Sequence, residues 1–74
     1  MLLIDNYKSL FKDNIDSLNY QISKITNIEL YHKFDFKIRL ILEFMMNHEN
    51  TLININYVKK ELTKLANELV KLNY

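Results

Sequence analysis

Apolar side chains recur at alternating spacings of four and three residues in three separate segments of this chain. The three stripes are Phe11, Ile15, Leu18, Ile22 and Ile25, with Ile4 and Tyr7 upstream; Tyr31, Phe34, Ile38, Ile41 and Met45; and Val58, Leu62, Leu65, Leu69 and Leu72. Residues at this spacing share one face of an α-helix. Three such stripes in 74 residues predict three amphipathic helices around one core.

The first two stripes are out of phase, which places a break between them. Continuing the first stripe past Ile25 selects mostly polar residues, and the second stripe lies about 200° away at 100° per residue. We therefore predict a turn near Thr26 and Asn27. Thr26 and Glu29 have the spacing of a capping box, in which each side chain accepts a hydrogen bond from a free backbone amide.

Polar residues also separate the second stripe from the third. The segment 47–50 is expected to end the second helix, and Asn54 or Asn56 is expected to cap the third. The predicted helices then span roughly 5–25, 28–47 and 56–73. Similar lengths and short connections favour an all-α fold, a small antiparallel three-helix bundle that forms a single domain over residues 1–74.

A strand is the alternative structure for the middle of the chain. From Ile28 to Phe44 every even position is apolar except His32, a period of two that is typical of a half-buried strand. Residues 52–58 would pair with it, giving an α+β fold with a hairpin in the 28–58 region. Seventeen residues is long for one strand, and no Gly or Pro interrupts the segment, so the helix is favoured.

The composition excludes several kinds of site. Cysteine, glycine and proline are absent, which rules out disulfides, thiolate metal sites, and the glycine-rich turns of P-loops and nucleophile elbows. The net charge of +1 is far below that of a typical nucleic-acid-binding domain. No apolar run is long enough to span a membrane, so we expect no membrane partner and a cytoplasmic, intracellular location.

The two histidines do not predict a catalytic or metal site. Glu29 and His32 match half of a di-metal helix motif, but such a site needs a second copy and further inward carboxylates. His48 lies at the expected end of the second helix, where an imidazole complements the carbonyl groups. We therefore expect no enzyme activity, no cofactor, no metal and no small-molecule substrate.

A second apolar ridge on the middle helix predicts a contact with another molecule. Phe36, Leu40 and Phe44 follow one another at i+4 steps, away from the stripe that faces the core. One interpretation is that the central helix of a small bundle is buried nearly all round, so that the ridge belongs to the chain's own core. The other, on which the predicted function rests, is that the ridge binds a protein partner or a second copy of the chain, because a domain this small without disulfides needs further stabilisation. The predicted function is a non-catalytic protein–protein interaction module.

The amino-acid composition adds a more specific prediction about the source and role of the protein. Gly and Pro are absent while Asn, Ile and Lys are abundant, which indicates an A+T-rich genome such as that of many phages and large viruses. The refined interpretation is a viral or phage accessory protein that inhibits or recruits a host protein by occupying its surface.

A stripe of polar residues on the third helix favours a different function. Lys60, Lys64, Asn67 and Lys71 lie opposite its leucines, as on a recognition helix whose lysines contact phosphates and whose Asn reads adenine. A solvated outer face explains the same stripe, and the flanking Glu61 and Glu68 would repel phosphate. The alternative prediction for the function is a dimeric helix-turn-helix-like regulator that binds DNA.

Overall fold

The computed structural model of this chain describes the backbone of residues 3–72 and the side chains of residues 9–72. Its helices are α1 (Leu3–Ser23), α2 (Ile28–Asn47) and α3 (Leu52–Leu72). Of the described residues 3–72, 88% are helical, and none of them lies in a strand. The predicted three-helix fold is confirmed, and the alternative with a hairpin in the 28–58 region is wrong.

The strand prediction failed because one set of apolar residues satisfies two periods. Positions four apart share a face both in a helix and in a strand. The residues that distinguish the two are Tyr31 and Ile41, which break the alternation but fall on the helical stripe. In the structure Ile41 is buried with Ile38 and Met45 on one side of α2, as the helical period requires.

Contacts between α2 and α3 show that these helices run antiparallel. Lys37 of α2 lies 2.7 Å from Glu68 of α3, whereas Phe44, two turns further along α2, packs on Tyr57 near the start of α3. The molecule measures 37 × 17 × 16 Å. The three helices have 20 or 21 residues each, and a helix of that many residues is about 30 Å long. Each helix therefore runs along most of the length of the bundle.

The core consists of the predicted stripes. Every buried apolar side chain among residues 9–72 belongs to one of them: Phe11, Ile15, Leu18, Ile22, Phe34, Ile38, Ile41, Met45, Val58, Leu62, Leu65 and Leu69. Burial of each Leu, Ile or Val stabilises the fold by about 1.5–3 kcal/mol. Because the three helices turn these stripes toward one another, a single hydrophobic core forms.

The stripes are less well covered at their ends. Ile25 is half-buried, while Tyr31 is 36% and Leu72 is 41% exposed, so the sequence analysis was wrong to place these two in the core. Both lie in terminal turns, where the neighbouring helices also end and cover the side chains on fewer sides. The upstream residues Ile4 and Tyr7 lie outside the described side chains.

The cap of α2 is one residue later than predicted. Asn27 has an extended backbone (φ −73°, ψ 119°) and its side-chain oxygen accepts a hydrogen bond from the Leu30 amide, at 3.1 Å. An Asn cap satisfies a backbone donor that the helix leaves free. The Thr26–Glu29 capping box is therefore wrong, because the third helical residue is Leu30 rather than a Glu.

The third helix begins four residues earlier than predicted, at Leu52. Its first turn is capped by Thr51, whose hydroxyl accepts a hydrogen bond from the Asn54 amide at 3.2 Å. Asn54 instead donates from its side chain to the Glu49 carbonyl, so neither it nor Asn56 is the cap. The predicted end at residue 73 lies outside the described residues.

The first helix ends at Ser23 rather than at residue 25. The amides of Lys24 and Ile25 each donate to a carbonyl three residues earlier, which tightens the last turn and leads into the connection. Phe11 has non-helical backbone angles (φ −115°, ψ 16°), which kink α1. Because the chain contains no proline, the sequence did not predict this kink.

Candidate functional site

The predicted ridge on α2 is divided between solvent and the neighbouring helix. The side chains of Phe36 and Leu40 are 61% and 49% exposed, whereas Phe44 is half-buried against the core. Each i+4 step turns the ridge by about 40° around the helix axis. By Phe44 that rotation brings the ridge to α3, so only its first two members face outward.

Phe44 belongs to a small aromatic cluster at one end of the bundle. Its ring stacks on His48, with centroids 3.9 Å apart and planes 12° apart, and lies 4.6 Å from the Tyr57 ring. The His48 ring nitrogen Nδ1 is 3.0 Å from the Phe44 carbonyl oxygen. His48 thus occupies the helix-end position expected from the sequence, and it fixes Phe44 against α3.

A groove of about 240 Å³ lies between α2 and α3, beside the exposed part of the ridge. Its apolar lining residues are Leu40, Ile41, Phe44, Tyr57 and Leu65. Its charged lining residues are Lys37, Glu61, Lys64 and Glu68. An apolar floor with a few polar groups at the edge is the usual composition of a binding site. We call this site the α2/α3 groove.

Two ion pairs hold the charged edge of the α2/α3 groove. The Lys37 ammonium donates to a Glu68 carboxylate oxygen at 2.7 Å, and the Lys64 ammonium lies 3.6 Å from Glu61. The hydrogen bond from Lys37 lowers the pKa of Glu68 below its ordinary value; partial burial opposes this, and the charges of Lys37, Lys33 and Lys64 add to it. The four charged side chains at the edge of the groove thus form two pairs of opposite charge.

The structure separates the residues of the predicted DNA-binding stripe. All four side chains are exposed: Lys60, Lys64, Asn67 and Lys71. Lys64 lines the α2/α3 groove. Asn67 lines a different groove, between α1 and α3, whose lining is largely polar and includes Asp13 and Thr63. The stripe therefore straddles the outer side of α3 and joins no single groove.

The residues considered for chemistry remain apart. The His32 ring meets the Tyr31 ring edge-on, with centroids 5.7 Å apart, and its partner in the considered metal motif, Glu29, is exposed. Within residues 3–72 no group of three or more described His, Cys, Asp or Glu side chains is arranged to hold a metal ion. No helix in that range is long and apolar enough to cross a membrane.

Of the nine described residues that line the α2/α3 groove, only Leu40, Phe44 and Lys64 belonged to a predicted site. Tyr57 and Lys37 both line it, yet neither belongs to a predicted site. A signal for Tyr57 was present: in an antiparallel pair joined by a short loop, residues at equal distances from the loop face each other. Because the loop is residues 48–51, this rule brings the end of α2 beside Tyr57.

No protein-family model matches the chain, and no curated protein or solved structure matches it.

Proposed function

We propose that this chain is a small, non-catalytic protein-interaction module whose contact surface is the ridge of α2 and the adjoining α2/α3 groove. One observation carries the proposal: Phe36 and Leu40, two large apolar side chains one helical turn apart, are 61% and 49% exposed next to a groove with an apolar floor. Exposed apolar residues scattered singly need no explanation, but a contiguous patch beside a concave floor is typical of a contact surface.

The arrangement suits a helical segment of another protein. Side chains at i and i+4 on one helix form a row that packs into the groove of a second helix. Tyr57 supplies an aromatic side chain, 47% exposed, on the opposite wall. Aromatic residues are enriched among those that carry most of the binding energy of an interface.

The molecule proposed to bind this surface is a protein, which includes the case of a second copy of the same chain. A role as a viral or phage inhibitor that occupies a host surface, inside the cell, stays a prediction from size and codon composition.

The decisive experiment replaces Leu40 with Gln, a polar side chain of similar length. We expect helical content to be retained, because Leu40 lies outside the buried core, and association to weaken by roughly thirtyfold, or about 2 kcal/mol. Circular dichroism measures the first quantity. Light scattering for self-association, and quantitative capture of partners from the native host, measure the second.

Leu10→Gln is the matched control, because Leu10 is 56% exposed and lies on α1. It should leave association unchanged. If Leu40→Gln unfolds the chain, the ridge is structural and the contact proposal loses its support. If Leu10→Gln weakens association as much as Leu40→Gln does, the contact surface lies elsewhere.

A DNA-binding regulator is the second candidate, favoured by the exposure of Lys60, Lys64 and Lys71 on the outer side of α3. The pairing of Lys64 with Glu61 opposes it, since a lysine that is already paired contributes less to phosphate binding. Fluorescence anisotropy with duplex DNA at increasing salt tests it. Binding that falls steeply with salt, by nearly one power of salt concentration per phosphate contact, and that is lost in Lys60→Gln would favour this candidate.

A further inference from the structure

We propose that the occupant of the α2/α3 groove is an acidic amphipathic helix, one that inserts apolar side chains between α2 and α3 and presents Asp or Glu along its flanks. The inference rests on the proposed contact function and specifies the chemistry of the partner. The unpaired positive charge beside the groove, which an acidic partner would complement, is the observation that carries it.

The first step is the charge that remains after the ion pairs are formed. Glu61 and Glu68 are each held by a lysine of the groove, Lys64 and Lys37 respectively. Both carboxylates are therefore already neutralised. A basic partner would have to compete with these lysines for Glu61 and Glu68, the only carboxylates among the described residues that line the groove.

The second step is the pair of lysines left over. Lys33 lies one turn before Lys37 on α2, and Lys60 lies one turn before Lys64 on α3, so each shares a helix face with a groove lysine. Both are exposed, and neither forms an ion pair with a described residue. Neither lines the groove itself; they leave an excess of positive charge beside it, with Lys33 next to Lys37 on α2 and Lys60 next to Lys64 on the outer side of α3.

The position of Lys33 has independent support. Its ammonium is 5.9 Å from the centre of the Phe34 ring, and the Lys37 ammonium is 5.6 Å from the same ring. The charge of Lys33 also helps to lower the pKa of Glu68 on the opposite helix. The charge of Lys33 therefore lies on the side of α2 that faces the groove. Counting 100° per residue around the helix, Glu43 lies on the other side of the ridge.

The third step is the size of the occupant. The groove runs from the Lys37–Glu68 ion pair to the Phe44–Tyr57 contact. At 1.5 Å per residue these limits are about 11 Å apart along α2 and about 17 Å along α3. Two to three turns of helix fit that length, enough for apolar side chains at i, i+4 and i+7 with acidic residues beside them.

Synthetic helical peptides test this inference on the full chain. The probe is an amphipathic peptide of about 18 residues, since shorter helices are marginally stable in water, with Leu at i, i+4 and i+7 and Glu on both flanks. One twin carries Lys in place of every Glu, and a second carries Gln. We expect the Glu peptide to bind at least about tenfold more tightly than the Lys twin near 0.05 M salt, with a smaller ratio near 1 M salt.

Charge reversal in the chain provides the second arm. The double variant Lys33→Glu/Lys60→Glu should lower the affinity for the Glu peptide by about tenfold and raise that for the Lys twin. Lys12→Glu/Lys24→Glu is the matched control, because it changes the net charge equally but acts on α1 and the turn that follows it, away from the groove. That control should change either affinity by less than about threefold at 0.15 M salt, where the Debye length is about 8 Å.

The outcomes separate the inference from the proposed function. If all three peptides bind equally and Leu40→Gln abolishes binding, the contact function stands and the acidic partner is wrong. If the Glu peptide binds Leu40→Gln as well as the parent chain, charge alone attracts it and the groove is not the contact site. Failure of the Glu peptide to bind, tighter binding of the Lys twin, or a preference for duplex DNA overturns the inference, and the Leu40→Gln association measurement then judges the contact function separately.

Discussion

The two faces of α2 are both apolar, yet only one of them is buried. On the inner face Ile38 and Met45 are 2% and 0% exposed, whereas Phe36 and Leu40 on the outer face are 61% and 49% exposed. The four residues belong to one helix and to one hydrophobicity class. The angle around the helix axis, rather than apolar character, decides which side chains leave water.

Phe44 lies at the boundary between these faces and shows how that boundary arises. It continues the outer row at an i+4 step, but it packs on Tyr57 and is half-buried. The slow rotation of an i+4 row around the helix carries its last member under the neighbouring helix. A row that looks uniform in sequence therefore supplies two outward side chains and one wall of a groove.

Truncation of the inner face should have the largest effect on stability. Ala at Leu18, Ile38 or Leu65 should destabilise the fold by about 2–5 kcal/mol, because each change leaves a cavity in the core. Leu40→Ala, on the opposite face of the same helix as Ile38, should cost less than about 1 kcal/mol. Urea unfolding followed by circular dichroism measures both. Equal costs for Ile38→Ala and Leu40→Ala would erase the distinction between the faces.

Removal of the cap of α2 should have an intermediate effect on the free energy of unfolding, because both faces of α2 require the helix to begin at Ile28. Asn27→Ala removes the side chain that caps the Leu30 amide and should cost about 1 kcal/mol. Thr26→Ala is the control and should be nearly neutral, because the Asn27 cap remains. Thermal unfolding of the two variants compares them. The reverse order would restore the capping box that the structure contradicts.

The ion pair at the boundary of the groove should have the smallest effect, and one that depends on pH. The pKa of Glu68 is lowered from 4.5 in the folded chain, first by the Lys37 hydrogen bond. The resulting stabilisation is fully present above pH 4.5 and is lost as the pH falls through the lower folded pKa. Since both side chains are more than a third exposed, we expect less than about 1 kcal/mol.

Glu68→Gln tests that dependence. The difference in unfolding free energy between this variant and the parent should be present at pH 7 and should shrink toward pH 3. Glu43→Gln, on the far side of the ridge, is the control, because Glu43 forms no ion pair with a described residue. A difference for Glu68→Gln that grows as the pH falls would contradict the assigned direction.

Much of the fold could be predicted because it depends on local spacing. Leu18, Ile38 and Leu65 were placed at the centres of their stripes, and all three are buried. Helix ends were predicted less well, since several polar residues compete for each cap: Thr26 and Asn27 are adjacent and both are good capping residues. Only the backbone geometry at Asn27 decides between them.

The candidate site was likewise predictable where it depends on local spacing and not where it depends on how the helices pack. The sequence alone determined that Phe36, Leu40 and Phe44 form a row away from the core stripe, because a helical period is a property of consecutive residues. Only the tertiary structure decided which side of that row meets α3. The Lys37–Glu68 ion pair joins residues 31 positions apart, and its partners depend on how the helices are arranged around the core. Periodicity defines the faces of each helix, but it carries no information on which neighbouring helix each face contacts. The α2/α3 groove forms where a face of α2 lies beside a face of α3, so only the tertiary structure shows it.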